Sequence, residues 1–169
     1  AIFPQGSSES FQVGAFMYPP VFLIPFKFLS LVNLPLSFFI WTLINFGELI
    51  LYFRFFTKEV TGKVIPLKQG LLFILTMPVF YNFFFGQVNV WLLIFSGEFL
   101  RAVLSDKPYK SGLWLGGLLL KPQLLLLIIP YLLIRRAGKI LLGFSLSAFI
   151  IILISFSLIG LDGFQNLLN

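Results

Sequence analysis

Residues Ser111 to Ile134 read SGLWLGGLLLKPQLLLLIIPYLLI, and the fold turns on this stretch. One charged residue, Lys121, interrupts an otherwise uncharged apolar run, and Pro122 and Gln123 follow it at once. A charge at such depth costs roughly 2.5 to 3.5 kcal/mol on membrane-insertion scales, so an intramembrane lysine marks a functional position. Proline lacks the N–H that a helix needs, clashes with the preceding turn and disfavours helix at the residue before it. The run is therefore expected to be two short arms meeting at Lys121-Pro122.

Composition sets the class around that stretch. Hydrophobic residues make up 59% of the 169 positions and charged residues 11%, and the mean hydropathy is +1.00. An ordinary soluble domain carries about 25% charged residues, so this is the composition of an integral membrane protein. There is no Cys and no His, which excludes disulfides, thiolate nucleophiles, Cys-ligated or His-ligated metals and imidazole acid–base chemistry. Carboxylates, Lys, Arg, Tyr and amides are left to carry any chemistry, and neither a metal nor a cofactor is expected. The sequence opens on a polar stretch, PQGSSES, with no charged n-region or apolar h-region. No signal peptide is expected, and the chain reads as an internal piece of a longer protein.

The net charge of +6 is placed as in a membrane protein, not as in a nucleic-acid binder. Of the twelve Lys and Arg, four are Arg54, Lys58, Lys63 and Lys68, three are Arg101, Lys107 and Lys110, and three are Arg135, Arg136 and Lys139. Basic clusters at the ends of apolar segments orient those loops to the cytoplasm and attract anionic lipid. Since a span needs about 20 apolar residues, the expected fold is all-α, a polytopic transmembrane helical bundle with 1–169 as a single transmembrane domain. Its spans are expected at 35–54, 69–85, 88–104 and 139–160, with Asn33 and Pro35 as start signals for the first. The stretch 111–134 begins and ends at cytoplasmic charge, so it must enter and return on one side as a re-entrant pair. An external loop and a short re-entrant segment over 1–33 precede the first span. Three breaks, Tyr18-Pro19-Pro20, Gly86-Gln87-Val88-Asn89 and Lys121-Pro122-Gln123, then converge on the external face.

Most other features have a structural reading. Gly112, Gly116 and Gly117 suit a close helix-packing face. Ser145, Ser147, Ser155 and Ser157 suit hydrogen bonds to their own or a neighbouring helix. Phe83, Phe84, Phe85 and Trp91 read as packing and interface aromatics. Glu98 and Arg101 have the spacing of a helical ion pair, while Glu48 has no evident cationic partner and its role stays open. Gln87 and Asn89 could cap a helix or bind sugar hydroxyls. Lys121 wants an anion, and a pocket open to the outer leaflet with a cation in its wall suits a phosphate head on a greasy tail.

Three motifs in order, Phe16-Met17-Tyr18-Pro19-Pro20 with Pro25 beyond it, Gly86-Gln87-Val88-Asn89, and Gly116-Gly117-Leu118-Leu119-Leu120-Lys121-Pro122-Gln123 before Arg135-Arg136, resemble glycosyltransferase family 87. The resemblance covers nearly the whole chain. It implies a GT-C-like enzyme that moves a hexose, most often mannose, from a polyprenyl-phosphate carrier to a glycolipid or glycan acceptor on the extracytoplasmic side. It also implies a multi-pass protein of the plasma (inner) membrane, in contact with membrane lipids and not with nucleic acid. Lys121 would be a donor-phosphate ligand, with Tyr18, Gln87, Asn89 and Gln123 lining the donor or acceptor pocket. The family's catalytic acid lies in the first external loop and is expected upstream of Ala1, so it is not carried over to Glu9. Other classes share the helix pattern: a transporter or flippase using an intramembrane lysine, or a non-catalytic assembly subunit.

Overall fold

The computed structural model describes residues 19–64, 66–74 and 76–168, and every element in them is helical. Tyr18 and Glu9 lie outside the described residues. A 3-10 turn, Pro20–Leu23, runs into a short helix α1, Ile24–Leu29. The long helix α2, Leu34–Thr61, starts where Asn33 Oδ1 accepts a hydrogen bond from Leu36 N at 3.0 Å, with Pro35 in the first turn. Both residues suit that role, one as a side-chain cap and the other as a pre-set φ with no N–H to satisfy. Gly62, at φ 70°, ends α2 in the left-handed region that glycine adopts without a Cβ penalty.

The stretch 69–85, expected as one span, is two eight-residue helices, α3 Leu67–Ile74 and α4 Met77–Phe84. Pro78 accounts for the division. A continuing helix would bond its N–H to the Ile74 carbonyl, and proline has no N–H to give. Thr76 between the two is extended, with ψ 143°. Helix α5, Asn89–Leu104, is unbroken. The stretch 111–134 lies in α6, Pro108–Leu115, two 3-10 turns, Gly116–Leu120 and Pro122–Leu124, and α7, Leu125–Ile134. Lys121 stands between the turns in an extended conformation, φ −135° and ψ 87°. Helix α8, Gly138–Leu168, is interrupted at Gly160. Among the described residues, two helical stretches, Leu34–Thr61 and Gly138–Leu158, are long and apolar enough to cross a membrane.

Side-chain contacts fix the directions of these helices. Helices α2 and α5 run the same way: Glu48 meets Trp91, Tyr52 meets Ile94, and Glu59 meets Arg101. Helix α6 packs along α8 through glycine, with Gly112 lying against Ile140, Gly143 and Phe144, and Gly116 against Ser147. Both helices therefore start at one end of the molecule, and α7, which links the Lys121 break to the start of α8, has to run back towards that end. Arg101, Lys107, Lys110, Arg135, Arg136 and Lys139 gather there. Small residues allow this approach because helices in hydrocarbon gain from packing and not from water exclusion. The most enclosed apolar residues, Leu115, Leu118 and Leu120, are at most 1% exposed and lead straight into Lys121. Many large apolar side chains point outward, Leu127 and Ile134 at 82% and 80% exposed among them, as a hydrocarbon surrounding permits.

Candidate functional site

At the end opposite the clusters Arg101 to Lys110 and Arg135 to Lys139, three chain breaks come together. A cavity of about 230 Å³ is lined by Phe22, Leu23 and Phe26 from the first segment, Gly86, Gln87 and Val88 from the turn before α5, and Leu120 beside Lys121. The first segment is anchored by its backbone: Val21 N donates to the buried Ser155 hydroxyl of α8 at 3.2 Å.

The 86–89 turn is pinned from three directions. Gly86 has φ 59°, and a Cβ there would press on the Phe38 ring at 3.1 Å, so both conformation and space call for glycine. Its carbonyl accepts from Trp41 Nε1 at 3.0 Å. Asn82 of α4 completes the turn: its backbone carbonyl accepts from Gln87 N at 2.9 Å, and its Oδ1 accepts from Asn89 N at 3.2 Å. That side chain satisfies one of the amide donors that the first turn of a helix leaves free.

Phe26 of the cavity wall belongs to an aromatic cluster. Trp41 packs on both Phe26 and Trp91, with ring centroids at 4.6 Å and 5.3 Å. Trp91 Nε1 donates to Glu48 Oε2 at 3.0 Å, so the open role of Glu48 includes holding this indole. Both tryptophans are thus oriented by their N–H groups while their rings pack.

Lys121 Nζ lies 2.6 Å from Oδ1 of Asn89. The two ion pairs among the described residues belong to Arg101, with Glu98 at 2.6 Å and Glu59 at 3.8 Å, at the far end of α5. Of the five residues singled out in the sequence for ligand contact, the structure brings Lys121 and Asn89 into direct contact and puts Gln87 in the cavity wall. Gln123 is exposed on the next turn and is not among the lining side chains. Asn89 lines a second cavity, about 200 Å³, with Asn82, Leu49 and Leu93. No group of three or more acidic metal-ligating side chains occurs among the described residues.

Two buried asparagines escaped the sequence reading. Asn82 is 6% exposed and organises the turn; its signal was a lone carboxamide inside the aromatic run Tyr81-Asn82-Phe83-Phe84-Phe85. Asn45 is 1% exposed; its Nδ2 donates to Trp41 O at 2.9 Å, while its Oδ1 receives no hydrogen bond among the described residues.

Fold and site together define a helical membrane protein with a lysine held by an asparagine at a chain break. The chain belongs to glycosyltransferase family 87, whose family model matches residues 16–169. No curated protein and no solved structure matches it. Family membership implies a glycosyltransferase, which acts on a sugar donor and an acceptor.

Proposed function

We propose that the protein transfers a hexose, mannose in the first instance, from a polyprenyl-phosphate carrier to a glycolipid or glycan acceptor on the extracytoplasmic side of the plasma (inner) membrane. The observation that carries this reading is the Lys121 ammonium held by Asn89 at a helix break, one residue from Leu120 in the wall of a mostly apolar cavity. The cavity suits the hydrocarbon of a carrier, and the ammonium suits its phosphate. Gln87 lines this space, Asn89 lines the second cavity, and Tyr18 and Gln123 lie next to the lining segments in sequence. The chain is read as multi-pass, with 111–134 as a re-entrant pair and the basic end cytoplasmic.

In the transfer, the acceptor hydroxyl oxygen bonds to the anomeric carbon, the bond from that carbon to the phosphate oxygen breaks, and the phosphate leaves with the electron pair. The hydroxyl proton goes to a base that no described residue is assigned to supply. Lys121 stabilises the charge growing on the phosphate, and such contacts contribute roughly 2 to 4 kcal/mol, about 10² to 10³ in rate.

The test uses full-length protein in nanodiscs with polyprenyl-phosphate mannose, comparing Lys121→Ala with Lys110→Ala at the basic end. Lys121→Ala is expected to lose about 10² to 10³ in transfer rate with its melting temperature kept, and Lys110→Ala to match the wild type. Near-normal transfer by Lys121→Ala, or activity lost in step with the fold, would leave the lysine a structural residue. Movement of the carrier between leaflets without transfer would favour a flippase.

A further inference from the structure

The group that holds the Lys121 ammonium is neutral. Asn89 Oδ1 accepts from it at 2.6 Å, and neither ion pair among the described residues reaches it. Asn89 is itself fixed as the first residue of α5, because its backbone N–H donates to the buried Asn82. A chain of polar contacts, Asn82 to Asn89 to Lys121, therefore runs from α4 through α5 to the break without adding charge.

An aspartate at position 89 has nearly the same shape and would hold an ammonium more tightly. It would also neutralise it, and an incoming anion would meet a carboxylate of like charge, which interfaces use to reject partners. A carboxamide presents only a dipole, so the ammonium is oriented and keeps its charge. An ammonium has three donors, and Asn89 takes one of them.

We propose that Asn89 is a positioning residue that makes the Lys121 site selective for an anionic headgroup, because its neutral side chain places the ammonium without cancelling it. The ligand is a phosphate on a single hydrocarbon chain. This rests on Lys121 as the phosphate contact and explains why its partner is an amide.

The test measures binding of dodecyl phosphate and of uncharged dodecyl glucoside to the full-length protein in phosphatidylcholine nanodiscs, with a melting temperature for each variant. Asn89→Asp is expected to melt at or above the wild type and to weaken dodecyl phosphate by at least about tenfold, leaving dodecyl glucoside unchanged. Asn89→Ala is expected to bind dodecyl phosphate better than Asn89→Asp does, and Asn89→Gln, which keeps the carboxamide, to stay within about threefold of wild type. If Asn89→Asp binds dodecyl phosphate like the wild type while Lys121→Ala does not, the positioning role is overturned and the phosphate contact stands. Dodecyl phosphate bound as tightly by Lys121→Ala as by the wild type overturns both. Should Asn89→Asp fail to fold, Asn89→Gln decides: binding as weak as in Lys121→Ala overturns the proposal. Phosphatidylglycerol added to the disc is expected not to compete, and competition would overturn the single-chain carrier as the source of the phosphate.

Discussion

Two basic residues show how local geometry separates function from strain. At position 121 the compact ammonium reaches one carboxamide oxygen, and an arginine there would bring a planar fork needing more than one acceptor. Lys121→Arg is therefore expected to recover only part of the transfer lost in Lys121→Ala, in the same nanodisc assay. Position 136 is different. Arg136 has φ 51°, a left-handed conformation that costs an L-residue roughly 1 to 2 kcal/mol, held because Arg136 N and Ala137 N bond back to Leu133 and Leu132 at 3.0 Å each. Arg136→Gly should stabilise the protein by about 1 kcal/mol, since glycine takes that conformation freely. Its neighbour Arg135, at φ −73°, should show the opposite: Arg135→Gly is expected to lower the melting temperature. Equal shifts in the two variants would mean that charge and not backbone sets the effect.

Among the elements, the α6–α8 contact depends most on single atoms. A Cβ on Gly112 would stand 2.7 Å from Phe144 N and 2.8 Å from Gly143 Cα, both unable to move aside without shifting a helix. Gly112→Ala is expected to cost roughly 1 to 3 kcal/mol by overpacking. Gly47 in α2 has nothing within 4 Å of such an atom, so Gly47→Ala should gain roughly 0.5 to 1 kcal/mol. Thermal denaturation of both in one detergent checks the pair, and a stable Gly112→Ala would rule out the close approach. The division of the elements was partly legible in the sequence. The break at Lys121 could be read because proline acts on its immediate neighbours, and Asn33 could be read as a cap for the same reason. Pro78 carries the same signal, but the apolar run around it looked long enough for one span. The Lys121–Asn89 bond could not be read at all, because its partners are 32 residues apart and no local rule pairs them. Asn82 was hidden by its aromatic neighbours, and its role depends on a turn whose geometry only the fold supplies.

On the scale of the whole molecule, the clusters Arg101 to Lys110 and Arg135 to Lys139 lie at the end opposite the breaks at 86–89 and 121–122. Ser30, just past α1, sits at the end with the breaks, and Ser105, just past α5, sits at the basic end. In the full-length protein in intact cells, Ser30→Cys is expected to react with an impermeant thiol reagent and Ser105→Cys only after permeabilisation. Labelling of Ser105→Cys from outside would reverse the orientation. The polar bond at the break also has a direction in time. Asn89 leaves the ribosome 32 residues ahead of Lys121, so the acceptor is already made when the charged residue emerges. The glycine contact works the other way, because Gly143 is made only after Gly112. Synthesis thus makes the lysine's partner before the lysine, and the helix packed against its arm only after both.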